Sequence, residues 1–249
     1  MFETGLVSVS FRSLGVDEII ALCESSGLAY IEWGSDVHAP RTDKQKLEYI
    51  RDAQSEKGIR CSSYGTYFKL GRDSTDELYE YISAAKILGC STLRIWCGEK
   101  NYTDMTEDER KYIINEARTA VGIAESCGAV LCCECHGGTF TNTAEGAMRL
   151  MEEVGSDAFL MYWQPNQFRS FEENCEYARK IAPYTVNVHV FNWRGNDKYP
   201  LADAVCEWHR YLSYFDCSQK LLLEFMPDSS PLSLPREAKT LKELIGGQI

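Results

Sequence analysis

Positions 132–143 read CCECHGGTFTNT, with three cysteines, a glutamate and a histidine within five residues ahead of paired glycines. Three chemistries suit such a cluster: thiolate binding of zinc, dithiol exchange, or carboxylate and imidazole work at the end of a strand. Zinc needs four convergent ligands. Cys132 and Cys135 have C-x-x-C spacing, but no second such pair exists and an extended chain points residues three apart to opposite faces. Dithiol exchange in a C-x-x-C pair relies on a helix N-terminus to lower the thiol pKa, and this run is rich in strand formers instead. In a strand, Cys132, Glu134 and His136 share one face while Cys133 and Cys135 take the other. The charged face belongs inside a barrel, because outward positions lie beneath apolar helices where a glutamate would be stranded and cysteine serves as a small hydrophobe.

Other β-rich runs end in similar residues. YIEWGSDVH supplies Glu32, Trp33 and His38; LRIWCG supplies Arg94 and Trp96; MYWQPN supplies Gln164 and Asn166; VNVHVFNWR supplies His189, Asn192 and Arg194; and LLLEFMPD supplies Glu224. One buried acid is ordinarily a satisfied core polar group. Glu134, His189 and Glu224 at one mouth are different, since two carboxylates stay uncompensated unless a cation, a substrate or a shared proton lies between them. Oxygen-rich ligation with one imidazole suits a divalent metal ion such as Mn2+, Mg2+ or Co2+, with Zn2+ compatible. Arg94 has two readings, a holder of an anionic group or an ion pair with Glu32 inside the barrel. Four of the five tryptophans, Trp33, Trp96, Trp163 and Trp193, fall at or just past strand ends. Their rings suit the C–H faces of a carbohydrate, or else bury a rim against loops or the second subunit of a homodimer.

The elements that position these residues are punctuated by glycine. SSGLAYIEW, EKGIRCSSY, LGCSTLRIW, SCGAVLCCE and VGSDAFLMY each join a helical pattern to a strand, with Gly27, Gly58, Gly89, Gly128 and Gly155 at the left-handed position past a helix end. Helix starts are marked by Thr42 with Gln45, Ser74 with Glu77, Thr106 with Glu109, Asn142 with Glu145, and Ser170 with Glu173. Strands are predicted near 5–11, 29–34, 59–65, 92–98, 129–136, 158–164, 185–191 and 220–226, each followed by a helix. Eight alternating units without a composition break predict an α/β fold, a single (β/α)8 TIM barrel over residues 1–249.

The chain has 249 residues, 44% of them apolar, and a net charge of −11 without a basic run, which argues against nucleic acid as a partner. No stretch nears the roughly 20 apolar residues of a membrane helix, and the start MFETGLVSVSF does not read as a signal peptide, so a cytoplasmic protein is expected. Eleven scattered cysteines, odd in number, then read as reduced thiols.

Taken together, LVSVSFRSLGVDEIIAL, IEWGSDVH, ECHGGTFTNT, VHVFNW and LLLEF resemble, in order and spacing, the sugar phosphate isomerase/epimerase group of xylose-isomerase-like TIM barrels. The resemblance covers essentially the whole chain. It implies metal ligands at Glu134, His189 and Glu224. Most members place an aspartate at the end of the sixth strand, where this chain has YWQPN; Gln164 is the implied substitute, or Trp163 if the alignment shifts by one. The implied chemistry removes a proton beside a carbonyl while the metal steadies an enediolate, with Glu134 and Glu224 as the acid–base pair. Glu32, Trp33, His38, Arg94, Trp96, His136, Asn166, Asn192 and Arg194 would then contact a small-molecule carbohydrate substrate or position the acids. A dehydratase using the same enolate chemistry, and a sugar-binding barrel with reduced catalysis, are the alternatives. A phosphodiesterase of the endonuclease IV type fits poorly, since it employs many histidines and this acidic chain has four.

Overall fold

The structure, a computed structural model, describes residues 2–246. Strands β1 (Glu3–Val7), β2 (Tyr30–Gly34), β3 (Arg60–Leu70), β4 (Thr92–Cys97), β5 (Val130–Glu134), β6 (Phe159–Trp163) and β7 (Thr185–Val190) are parallel neighbours in sequence order. After β7 come two short strands, β8 (Trp193–Arg194) and β9 (Asp197–Lys198), paired as an antiparallel hairpin outside the barrel. Strand β10 (Lys220–Leu223) then pairs with both β7 and β1 and closes an eight-stranded parallel barrel. The helices α1 (Val16–Ser25), α2 (Lys44–Glu56), α3 (Leu78–Leu88), α4 (Glu107–Cys127), α5 (Ala144–Val154), α6 (Phe171–Ile181), α7 (Val205–Leu212) and α8 (Leu234–Gly246) alternate with the barrel strands. This is the expected (β/α)8 barrel.

Strand alternation divides the apolar residues into two cores. Inside the barrel, Val7, Val9, Tyr30, Cys132, Tyr162 and Leu222 pack together. Cys133 and Cys135 join the larger core between sheet and helices. All eleven cysteines are free thiols. Gly27, Gly58, Gly89, Gly128 and Gly155 all have φ between 59° and 89°, the left-handed conformation that ends the preceding helix without Cβ strain. Thr106 with Glu109 and Ser170 with Glu173 form capping boxes.

Local readings needed correction where distant groups intervene. The first strand stops at Val7, not residue 11, and Ser8–Phe11 form a 3-10 turn. Its hydroxyls accept backbone N–H bonds from the ends of the two neighbouring strands, Ser8 from Gly34 and Ser10 from Phe225, each at 2.9 Å. Strand β3 runs on to Leu70, beyond the predicted end. Helix α2 is capped by the Asp43 carboxylate in place of Thr42. Helix α5 is capped by Thr143, because the Asn142 amide is engaged with Asn101 and Tyr102 in a loop-to-loop contact. Ser74 makes no side-chain cap and leads into a 3-10 turn, Thr75–Glu77, before α3.

Interior packing leaves no room at Gly5, where a Cβ would stand 2.6 Å from the Tyr30 carbonyl oxygen and 2.7 Å from Leu222 Cδ2. Gly5→Ala is therefore expected to destabilise the barrel by about 1–3 kcal/mol. Urea unfolding should show a lower midpoint at unchanged slope; an unshifted midpoint would mean that the strands part without cost.

Candidate active site

The deepest part of the site is a charge network carried by strands. Glu32 on β2 is fully buried, and its carboxylate accepts from Arg94 Nε at 2.7 Å and from Ser63 Oγ at 3.0 Å. Arg94 on β4 also donates from Nη1 to Glu134 Oε2 at 2.6 Å, so one guanidinium bridges two acids. Trp96 Nε1 donates to the same Glu134 oxygen. The guanidinium fits because β3 has a glycine beside it. A Cβ at Gly65 would stand 2.8 Å from Glu32 Oε1 and 3.0 Å from Arg94 Nη2.

His189 on β7 is fully buried between this network and the mouth. Its Nε2 lies 3.4 Å from Glu32 Oε2. On the other side, its Nδ1 lies 3.0 Å from Gln164 Oε1 and 3.4 Å from both Glu134 Oε1 and Glu224 Oε2. A neutral imidazole that donates from Nε2 to Glu32 therefore aims the Nδ1 lone pair at three oxygens, an arrangement in which a carboxylate fixes the tautomer of a ligating histidine. Glu134, His189 and Glu224 have donor atoms within 4.8 Å of one another.

Electrostatics follow from this crowding. Burial opposes the charge on Glu32, but Arg94 and His189 outweigh it and hold its carboxyl down to about 2. Burial likewise opposes the Glu134 charge, and Arg94, foremost among its neighbours, keeps that carboxyl well below the usual range. For His189, burial disfavours the imidazolium, yet Glu224, Glu32 and Glu134 together raise its pKa well above the ordinary value. Three carboxylates face one guanidinium, so the cluster carries −2 with His189 neutral and −1 with it protonated.

Above the cluster lies a cavity of about 470 Å³. Aromatic rings wall it: Tyr67, Trp96, Phe191, Trp193 and Phe225, with the His136 ring stacked on Trp96 at 5.0 Å. Arg94, Glu134, Gln164, Asn166 and Glu224 also reach it. The neighbouring Phe225 has φ 52°, a strained conformation for a side-chain-bearing residue, directly after Glu224.

Several sequence candidates lie elsewhere. Trp33 alternates with Glu32, so it faces outward beneath the helices and donates to Gln54 Oε1 at 2.9 Å. His38 is buried behind the mouth between Ser8 Oγ and the Leu14 carbonyl. Glu32 lies under the cavity and orients other side chains. Arg94 forms the internal ion pair, through Nε to Glu32 and Nη1 to Glu134, and also lines the cavity floor. Asn192 donates to the Pro200 carbonyl and ties down the loop after β7. Arg194 is exposed, 3.6 Å from Glu207, in a separate cleft beside α7. Trp163 points outward against Trp208 and Tyr211, so Gln164, not Trp163, is the strand-six residue at the cluster. The aromatic rim thus keeps Trp96 and Trp193 and loses Trp33 and Trp163.

Arg12, Tyr67, Phe191 and Phe225 are among the rim residues that escaped sequence reasoning. Arg12, exposed at the mouth, donates to the Asp36 carboxylate and to the Tyr67 hydroxyl. Tyr67 lies past the predicted end of the third strand, and Arg12 follows a turn with no period to read.

Removing the bridging cation leaves two buried acids unpaired. Arg94→Met is expected to cost about 3–5 kcal/mol at neutral pH. The depressed Glu32 carboxyl makes the sign of the pH dependence clear: the ion pair contributes fully above the ordinary carboxylate range and loses its contribution as pH falls toward about 2. The deficit of the variant should therefore narrow as pH falls, first where its unpaired acids, raised by burial, become neutral, and further below about pH 4 as the intact pair loses its own contribution. Urea denaturation of both proteins across this range checks it; a deficit independent of pH would point to lost packing alone.

Comparison with known proteins places the fold. The family described as xylose isomerase-like TIM barrel matches residues 20–229. No curated protein matches significantly by sequence. Among solved structures, the probable 3-DHS dehydratase AsbF from Bacillus anthracis superposes with TM-score 0.82 at 16% identity, covering 97% of this chain and 99% of that one. The IOLI protein with a binding zinc atom gives 0.78 at 15%, covering 100% and 99%. D-psicose 3-epimerase with D-tagatose from Clostridium cellulolyticum H10 gives 0.72 at 14%, covering 98% and 99%. At such identities the likeness is one of fold, and the family match over most of the chain adds the rest: this protein belongs to the xylose isomerase-like TIM barrel family.

Proposed function

We propose that this protein is a metal-dependent isomerase or epimerase of a small carbohydrate, acting by proton transfer at a carbon beside a carbonyl through an enediolate. One observation carries the reading: Glu134 Oε1, Gln164 Oε1 and Glu224 Oε2 gather around His189 Nδ1 at 3.0–3.4 Å, under a cavity walled by aromatic rings. Donors that share an ion at about 2.0–2.2 Å stand roughly 3.0–3.5 Å apart, and the excess negative charge of the cluster asks for a cation. Three oxygens and one imidazole nitrogen suit Mn2+, Mg2+, Co2+ or Zn2+. The zinc atom of the IOLI structure is consistent with such a site on this fold. When bound, the ion supplies positive charge that polarises a substrate carbonyl and favours its enediolate.

The chain's own residues supply the rest. Glu134 and Glu224 form the acid–base pair, one taking a proton from carbon and the other returning one to the neighbouring carbon or the opposite face. Arg94 and Trp96 fix one oxygen of Glu134, so that its other oxygen faces His189. Glu32 holds the His189 ring. The rings of Trp96, Trp193 and Phe225 cover C–H faces of the substrate and exclude water from the reacting carbons. The likeness to D-psicose 3-epimerase supports a carbohydrate substrate. The likeness to AsbF supports a second reading, a dehydratase in which the same enolate expels a hydroxyl instead of regaining a proton.

Incubating Mn2+-loaded protein with a panel of ketoses and aldoses in deuterated water tests this. One carbon-bound hydrogen should exchange as the isomer or epimer forms, and Glu224→Gln should slow the exchange at least about 100-fold. Loss of water from the product identifies the dehydratase. Binding of sugars without exchange would reduce the protein to a binding barrel.

Metal affinity supplies a separate test. Gln164→Asp adds a charge to the cluster and should tighten Mn2+ by about tenfold in calorimetry, whereas Glu224→Gln should largely abolish binding. Unchanged affinity in both variants would place any ion elsewhere.

A further inference from the structure

The opposite end of the barrel holds a second cavity, of about 640 Å³, opening between α2, α3 and the N-terminal ends of the strands. Its composition departs from that of the chain. In a protein of net charge −11, the cavity is lined by Arg51, Arg60, Lys86 and Lys220, and by no acid. Arg51 pairs with Asp52 and Arg60 with Glu3, both outside the lining. Among the described residues, Lys86 and Lys220 have no ion-pair partner. Two thiols share the same wall. Cys61 Sγ and Cys90 Sγ are 3.4 Å apart, Cys61 buried at the start of β3 and Cys90 half-buried just before β4. Another close pair, Cys97 and Cys133, is fully buried beneath the helices.

We propose that Cys61 and Cys90 are a dithiol modification site for a small anionic disulfide of the oxidised glutathione class, which converts them to an intramolecular disulfide. The cations attract the carboxylates of such a reagent toward the thiols. Cys90, the more accessible, attacks one sulfur as its thiolate; the reagent's S–S bond breaks, and one glutathione leaves as a thiolate and takes up a proton. Cys61 then gives up its proton, attacks the Cys90 sulfur of the mixed disulfide, and expels the second glutathione. Two protein thiols are oxidised while one disulfide is reduced to two thiols, so electrons and protons balance. Burial pushes the Cys61 thiol up, which suits it to the second, intramolecular step, where proximity replaces reactivity.

The test treats the folded protein with oxidised glutathione, quenches with N-ethylmaleimide, and maps peptides without reduction. The expected product is lighter by two hydrogens, joins the Cys61 and Cys90 peptides, and melts roughly 5–10 °C higher. Cys61→Ser should stop at a single glutathione on Cys90. Combined Lys86→Gln and Lys220→Gln should slow the reaction at least about threefold with oxidised glutathione while leaving neutral hydroxyethyl disulfide unaffected. The exposed Cys206 serves as an internal clock. Cys61 and Cys90 still alkylated after Cys206 has reacted, or a disulfide at Cys97 and Cys133 instead, would overturn the dithiol. Equal slowing with both reagents in the lysine variant would overturn the preference for an anionic one.

Discussion

A single guanidinium between two carboxylates sets the terms for the rest of the site. Arg94 is buried with Glu32 on one side and Glu134 on the other, and none of the three charges tolerates burial alone. Once Arg94 holds both acids as carboxylates, Glu32 can steady the His189 ring and Glu134 can present its second oxygen toward Nδ1. The network joins β2, β4, β5 and β7, residues far apart in sequence. Its geometry therefore exists only when the barrel is closed, and closure brings the donors together before any ligand arrives.

Two kinds of support meet at the mouth. The charged and imidazole donors sit on strands or one residue past a strand end, where sheet hydrogen bonds fix the backbone. The aromatic walls come largely from loops: His136 after β5, Trp193 in the hairpin after β7, Phe225 after β10. Barrel enzymes vary specificity through such loops while strands keep the reacting groups in register. Tyr67 on β3 and Trp96 on β4 are the exceptions, and Trp96 also holds Glu134. The loop-borne part of the wall can change without touching the hydrogen bonds that hold the donors beneath it.

Much of this arrangement was legible in the sequence, for reasons that also mark where reading failed. The period of two turned Glu134 and Cys132 inward and Cys133 and Cys135 outward, and the glycines past five helices fixed the alternation. The same period turns Trp33 away from Glu32, so nearness to a strand end does not by itself bring a tryptophan into the site. His38 and Asn192 lie in loops, where no period applies and tertiary bonds to Ser8 and Pro200 decide their direction. The early stop of β1 depends on Gly34 and Phe225, 26 and 215 residues from the serines they reach, and no local pattern carries that information. Legibility ended where a partner was distant in sequence and the backbone irregular.

The space at Gly65 has a consequence for how this sequence can vary. Position 65 contributes no side chain, yet its emptiness is what lets the Arg94 guanidinium and the Glu32 carboxylate lie against the strand. Any larger residue there would collide with both, so positions 32, 65 and 94 are open to change only as a set. Among relatives, glycine at 65 should travel with the arginine and the acid as a three-residue signature, inherited together or lost together.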